Sequence, residues 1–304
     1  MTNTKVNNLF DDDQQDEEIK HLDSDQVVAK DEDINPSNNI SMDDCGKDGS
    51  GCQKPLVPIF LYVDTSSSMT EKNEYGGDTK IETVRKAIVS IADQLVEYQN
   101  KNGVIMRVSV LCFDSNVTWL FKNADPSELL NITFNAQGLT HMGDAFKEAE
   151  TMLHREKFNL VGASQYKRAV MILLTDGCDV GSSITPSEGV QILRKNNWFV
   201  TGTRIAFAVG VDADRAPLEE FTGCKETVIK TDRVNVLKLL LEKLTIKASV
   251  ASSVGSNATL DEETRKAFDK KFAESTQNTK DLVEEVKDDI DIEGGDIDWF
   301  DDEA

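Results

Sequence analysis

Basic residues are scarce in this sequence. Its 304 residues hold 33 lysines and arginines against 55 aspartates and glutamates, which gives a formal net charge of −22. Nucleic-acid phosphates and anionic membrane surfaces are bound through basic patches, so the composition predicts neither nucleic acid nor membrane as a partner. The chain also lacks any run of the roughly 18 apolar residues that a transmembrane helix needs.

Two further absences concern the cellular compartment. The first residues lead into acidic sequence without the apolar core of a signal peptide. The five cysteines are an odd number, and no close pair has a histidine or further cysteines at zinc-like spacing. We therefore expect a cytoplasmic protein, in which a Cys45–Cys52 disulfide would not form.

The acidic excess is concentrated at the two ends of the chain. Residues 1–54 hold 14 acidic and 5 basic residues, and residues 260–304 hold 17 and 6. The sequence predicts a disordered acidic arm over 1–54, a globular domain over 55–248, and a linker with an acidic tail over 249–304. Within the tail a charged helix is predicted, with apolar positions too sparse for a strong stripe.

Strand-like and helix-like segments alternate within the central region. Such alternation predicts the α/β class: a doubly wound, mostly parallel sheet with one short antiparallel strand and helices on both faces. Continuous apolar runs are typical of strands that are covered on both sides. The predicted strands are 57–63, 104–113, the antiparallel 117–121, 169–174, one within 199–211, and an edge strand at 227–230.

Three loops carry oxygen-bearing side chains. Asp64, Ser66 and Ser68 follow the first strand, Thr140 precedes a helix, and Asp176 follows the strand at 169–174. Because parallel strands end at one edge of a sheet, these side chains are predicted to converge. Hard oxygen ligands suit Mg²⁺ or Mn²⁺. Taken alone, the first loop is explained equally well as a turn capped by its aspartate.

The loops together resemble the von Willebrand factor A domain over roughly residues 56–247. The resemblance implies a metal-ion-dependent adhesion site, with hydroxyl ligands from Ser66, Ser68 and Thr140 and with Asp64 and Asp176 acting largely through water. It further implies a non-enzymatic module in which an acidic side chain of a partner protein completes the coordination of Mg²⁺ or Mn²⁺. The motifs are Asp64-Thr65-Ser66-Ser67-Ser68, Gly138-Leu139-Thr140-His141-Met142-Gly143-Asp144-Ala145 and Leu174-Thr175-Asp176-Gly177.

Some positions depart from the family pattern or lie beside it. Ser67 and Leu139 stand where glycine is common in the family. We expect Asp144 to stabilise a helix N-terminus rather than to bind the metal. His141 is expected at the rim of the site, as is Asp179, where surface polarity alone would explain it.

One subgroup of the family is most similar. The spacing from Pro58 to Asp64 and the run Ser109-Val110-Leu111-Cys112-Phe113-Asp114 resemble the intracellular bacterial TerY-type proteins of tellurite resistance. This resemblance implies a stress-response complex and a partner that is a kinase or phosphatase of the same system.

Other functions stay open at this point. A Mg²⁺-dependent phosphatase-like hydrolase would use Asp64 as nucleophile, but Ser66 stands where an Asp-x-Asp pair needs its second carboxylate. In addition, no lysine or arginine of the three loops is placed to neutralise a phosphoryl group. An extracellular adhesin would need a secretion signal. A final hypothesis is autoinhibition, in which a carboxylate from residues 288–303 occupies the metal site.

Overall fold

The computed structural model describes residues 54–73, 77–154, 166–210, 214–231, 233–251 and 262–291. The predicted acidic arm up to residue 53 and the end of the predicted tail, from residue 292, lie outside the described residues. Within the described ranges, no helix is long and apolar enough to cross a membrane.

Six strands form a single sheet, in which five strands are parallel and β3 pairs antiparallel with β2. This confirms the predicted α/β fold class. In chain order the strands are β1 (Leu56–Asp64), β2 (Ile105–Phe113), β3 (Val117–Ala124), β4 (Val170–Thr175), β5 (Thr203–Ala208) and β6 (Val228–Lys230). Their order across the sheet is β3-β2-β1-β4-β5-β6, so β1 and β4 are central neighbours.

Seven helices are described, and they cover both faces of the sheet. They are α1 (Lys80–Asn102), α2 (Met142–Met152), α3 (Pro186–Leu193), α4 (Asn197–Thr201), α5 (Arg215–Thr222), α6 (Val234–Ala251) and α7 (Glu262–Asp291). Helix α1 begins at an N-cap, where the Thr79 side chain accepts a hydrogen bond from the backbone N–H of Glu82. It ends at Gly103, which has a positive φ of 61°.

The two hydrophobic cores follow from the alternation of β1. Every residue of β1 is buried, and successive side chains point to opposite faces. Ile59 and Leu61 belong to the core that α1 and α6 cover, whereas Phe60 and Tyr62 belong to the core that α2, α3 and α5 cover. Tyr62 meets the ring of Phe221 edge to face, with centroids 5.8 Å apart.

A strand within 199–211 is present as predicted, and a short helix that the sequence did not indicate precedes it. Residues Asn197–Thr201 form this helix, α4, and β5 begins at Thr203. The side chain of Asn196 accepts hydrogen bonds from the N–H groups of Trp198 and Phe199. This N-cap holds an apolar segment in a helical turn that composition alone would assign to the strand.

Helix α7 lies in the segment that the sequence assigns to a linker and acidic tail, residues 249–304, and it packs against both hydrophobic cores. Helix α7 buries Phe268 and Phe272 in the α2-side core, and Leu282 and Val286 in the α1-side core. Its apolar positions are sparse because the helix contacts the two layers in turn, near its start and near its end. It is therefore part of the folded domain.

A buried arginine joins α7 to the sheet. The guanidinium of Arg204, at 0% exposure, donates to the carbonyl oxygens of Phe199 (2.7 Å) and Gly202 (3.0 Å). It also donates to the hydroxyl oxygens of Ser275 (3.0 Å) and Thr276 (2.9 Å) on α7. Burial lowers the pKa of this guanidinium to about 9.

Candidate metal centre

The first loop begins with a buried and fully engaged carboxylate. Strand β1 ends at Asp64, whose Oδ1 accepts the N–H of Ser66 at 2.8 Å and whose Oδ2 accepts the hydroxyl of Thr175 at 2.6 Å. Burial raises the pKa of Asp64 to about 6, although both hydrogen bonds act to lower it. The two bonds fix the orientation of this carboxylate at the centre of the sheet edge.

Two hydroxyls lie side by side next to this carboxylate. The Oγ atoms of Ser66 and Ser68 are 3.0 Å apart. Adjacent ligands of an octahedral Mg²⁺ at about 2.1 Å would also be separated by about 3.0 Å. Between the two serines, Ser67 is exposed, and the buried side chain of Met69 anchors the short turn that places both hydroxyls together.

The second loop is hydrogen-bonded to the first. The N–H of Ser67 donates to the carbonyl of Gly138 at 3.1 Å, and the N–H of Gln137 donates to the carbonyl of Thr65 at 2.8 Å. Gly138 has a positive φ of 72°, and a Cβ there would lie 2.5 Å from the Ser115 hydroxyl. The pairing of the two loops therefore depends on glycine at this position.

Thr140 lies two residues beyond that glycine and links the second loop to the third. Its side chain is buried, and its carbonyl accepts the N–H of Val180 at 2.8 Å. Leu139 precedes Thr140 in sequence, and Val180 pairs with Thr140 in an isolated β-bridge. Both of these neighbouring side chains are exposed. All three loops are thus connected by backbone hydrogen bonds.

The third loop supplies a second carboxylate, Asp176, and this carboxylate contacts a lysine of helix α1. The Oδ2 atom of Asp176 accepts a hydrogen bond from the Nζ of Lys80 at 3.1 Å, and the same Nζ contacts Glu71 Oε2 at 2.8 Å. The negative charge of Asp176 raises the pKa of Asp64 further, as expected for two neighbouring carboxylates. Lys80 lies at the start of α1, outside the three loops that the sequence singles out.

The two carboxylates at the rim, Asp179 and Asp144, accept hydrogen bonds from backbone N–H groups. The Oδ1 atom of Asp179 accepts the N–H groups of Met142 (2.9 Å) and Gly143 (3.2 Å) at the N-terminus of α2. Asp144 is in the first turn of α2, as predicted, and accepts the N–H of Ser183 at 2.8 Å. Asp179 is therefore more than a solvated surface residue, because it satisfies two otherwise free helical donors.

The donor set fits a hard divalent cation. It consists of hydroxyls and two carboxylates, without sulfur or imidazole donors. No group of three or more histidine, cysteine, aspartate or glutamate side chains within the described ranges could hold a metal ion. A cation here would therefore depend on the serine and threonine hydroxyls. Metal binding by Asp64, Ser66, Ser68, Thr140 and Asp176 stays a prediction.

Two residues of the centre were not predicted from the sequence. Thr175 orients Asp64 through its hydroxyl, and it also accepts the N–H of Gly177 at 2.9 Å. Its place at the end of β4 was a signal, because β4 is the neighbour of β1 and their ends bring Thr175 next to Asp64. Lys80 gave no signal, since a lysine at a helix start is indistinguishable in sequence from a solvated one.

Several solved structures are similar to this chain at low identity. They include proximal thread matrix protein 1 from the mussel byssus, at 20% identity over 68% of this chain and 49% of that chain, with a TM-score of 0.49. A structure of the same mussel protein with a zinc-occupied MIDAS motif has 19% identity, covers 69% and 49%, and has a TM-score of 0.46. A von Willebrand factor type A protein from Catenulispora acidiphila has 19% identity, covers 65% and 43%, and has a TM-score of 0.45.

This chain spans about half of the length of those structures, and the likenesses say nothing of function. No curated protein matches the sequence. Residues 59–178 match the family profile of the von Willebrand factor type A domain. The matched segment carries all three loops of the centre, so this part of the chain is similar to that family.

Proposed function

We propose that this protein is a metal-dependent protein–protein interaction module without catalytic activity. A Mg²⁺ or Mn²⁺ ion would be held by Asp64, Ser66, Ser68, Thr140 and Asp176, and a carboxylate of the partner would bind that ion. The observation that carries the proposal is the 3.0 Å separation of the Ser66 and Ser68 hydroxyls beside two buried carboxylates.

The charge of the donor set supports a site for an anionic ligand. Two carboxylates are present, and both already accept hydrogen bonds. Asp64 accepts from Ser66 and Thr175, whereas Asp176 accepts from Lys80. Neutral hydroxyls leave most of the charge of a divalent cation uncompensated. Such a cation accepts an oxygen of an acidic side chain, since hard cations prefer carboxylate ligands.

A hydrolase is the second candidate function. The position of Lys80 near Asp176 favours it, because a buried cation could neutralise a phosphoryl group. The burial of Asp64 argues against it, since both carboxylate oxygens accept hydrogen bonds and the side chain is 0% exposed. Hydrolysis of p-nitrophenyl phosphate with Mg²⁺ that is lost in Asp64→Asn would favour the hydrolase over the binding module.

We also propose a bacterial stress-response setting in the cytoplasm, with a kinase or phosphatase of a tellurite-resistance-like system as partner. Support comes from the run 109–114 and from the acidic composition. Mass spectrometry of proteins that co-purify with the chain tests this setting. Recovery of only extracellular matrix or surface proteins would contradict it.

The binding proposal is tested by capture of partners from native lysate with three baits, each in Mg²⁺ and in EDTA. Thr140→Val removes one predicted ligand and preserves the side-chain shape. Ser67→Ala is the matched control, because Ser67 lies between the two serine ligands but is exposed. We expect wild type and Ser67→Ala to retain the partner in Mg²⁺ alone, and Thr140→Val to lose it. Identical proteins on all baits in both buffers would overturn the proposal.

A further inference from the structure

An ammonium group lies inside the candidate metal centre. The Nζ of Lys80 is 3.1 Å from Asp176 Oδ2, and the side chains of this pair are only 12% and 8% exposed. The same Nζ is 2.8 Å from Glu71 Oε2, whose side chain is 66% exposed. One of the two predicted carboxylate ligands is therefore held by a fixed positive charge of the chain itself.

The fold keeps this ammonium in place. Lys80 is the first residue of α1, and its N–H donates to the carbonyl of Glu71 at 2.9 Å. Its stem passes Gly210, where an added Cβ would lie 2.9 Å from the Lys80 Cε. Gly210 also has a positive φ of 110°, so a larger residue there would be strained as well as crowded.

The positive charge is maintained at neutral pH. An ordinary lysine, with a pKa of about 10.4, is charged at this pH, and the ammonium of Lys80 contacts the carboxylates of Glu71 and Asp176. The negative charge of Glu71 is largely exposed and is screened by solvent and salt. The charge of Lys80 is screened less because its side chain is mostly buried.

We propose that Lys80 determines the ligand specificity of the centre, by weakening its affinity for the cation and strengthening the affinity of the bound cation for a carboxylate. This inference rests on the proposed function. The ammonium repels a divalent cation at the neighbouring carboxylate, and it attracts an anion that approaches the same point. The two effects have opposite signs, so one substitution should change the two affinities in opposite directions.

A purely mechanical role for Lys80 predicts a different result. If Lys80 only positioned the Asp176 carboxylate, its removal would loosen a ligand and weaken cation binding. If its charge dominates, its removal strengthens cation binding. The sign of the change in Mg²⁺ affinity therefore separates the two roles.

The experiment uses full-length wild type, Lys80→Met, Lys80→Arg and Glu71→Gln. Lys80→Met keeps most of the apolar stem and removes the charge, and Lys80→Arg keeps the charge. Glu71→Gln removes the charge of one of the two carboxylates that contact the ammonium and leaves the charge of the other, Asp176. Isothermal titration with Mg²⁺ alone measures cation affinity. Proton relaxation of water in the Mn²⁺-loaded proteins, titrated with acetate, measures carboxylate affinity.

We expect Lys80→Met to bind Mg²⁺ roughly tenfold more tightly and acetate roughly tenfold more weakly than wild type. Lys80→Arg should stay within about twofold in both, and Glu71→Gln should shift both affinities modestly in the direction opposite to Lys80→Met. Thermal melting of each variant checks that it is folded.

Two results would overturn the inference, and they are distinguishable from failure of the proposed function. If wild type binds Mg²⁺ and acetate but Lys80→Met binds Mg²⁺ more weakly or equally, the charge role of Lys80 is wrong and the proposed function stands. If wild type binds no Mg²⁺, the proposed function fails and the inference fails with it.

Discussion

Replacing Phe272 with alanine tests whether α7 is an integral part of the domain. The Phe272 side chain is 8% exposed and packs against Phe199 of α4, with ring centroids 6.2 Å apart. The guanidinium groups of Arg194 and Arg204 each lie 4.1 Å from the centroid of its ring. The ring therefore occupies the junction between α7, α4 and β5.

The cost of the substitution follows from these contacts. Truncation of a buried phenylalanine to alanine removes about 3–5 kcal/mol from the free energy of unfolding, through lost burial and the cavity left behind. Loss of the stacked guanidinium of Arg204 adds about 0.5–2 kcal/mol, because that group is itself fully buried. We expect Phe272→Ala to lose about 3.5–7 kcal/mol, a large share of the roughly 5–15 kcal/mol of a typical domain.

Urea unfolding followed by circular dichroism measures this loss. Lys270→Ala is the matched control, since that side chain is 78% exposed on the same helix and should change the free energy of unfolding by less than about 0.5 kcal/mol. A loss below about 1 kcal/mol in Phe272→Ala would refute the reasoning, because it would mean that α7 does not pack on the sheet in solution.

Three further predictions concern the site and the end of the chain. Thr175→Val removes the hydroxyl that orients Asp64 and should lower the free energy of unfolding by about 1–3 kcal/mol; an unchanged urea midpoint would contradict this. Gly138→Ala should destabilise by at least about 1 kcal/mol, because its φ is +72° and Ser115 is too close, and thermal unfolding checks it. If the acidic end occupies the centre, deleting 292–304 should strengthen acetate binding to the Mn²⁺-loaded protein without lowering the melting temperature; unchanged acetate affinity would remove the autoinhibition hypothesis.

The local signals of the sequence were sufficient for most of the fold. Thr79 and Glu82 have capping-box spacing at the start of α1, and Thr185 with Pro186 and Glu188 mark the start of α3, where both hydrogen bonds of a capping box are present. Such signals are reliable because each depends on residues within one turn. The central strands were equally clear, since burial on both faces requires continuous apolar runs.

Features that depend on distant contacts were not predictable. The sequence predicted a charged helix in the region of α7 but not its packing, because its apolar residues are split between two cores and its link through Arg204 joins positions about 70 residues apart in sequence. Short helix α4 was missed because a single side chain, Asn196, decides between helix and strand there. Lys80 was missed because its importance comes from a partner on β4's loop, Asp176.

A titration with Mg²⁺ by calorimetry tests the central claim most directly. The proteins compared are wild type, Ser68→Ala, which removes a predicted ligand, and Ser67→Ala, which changes the exposed neighbouring residue. We expect wild type and Ser67→Ala to bind one Mg²⁺ with the same affinity, and Ser68→Ala to bind at least about tenfold more weakly, as loss of a ligand requires. Equal heats for all three proteins, or no saturable binding by wild type, would contradict the assignment of this centre as a metal site.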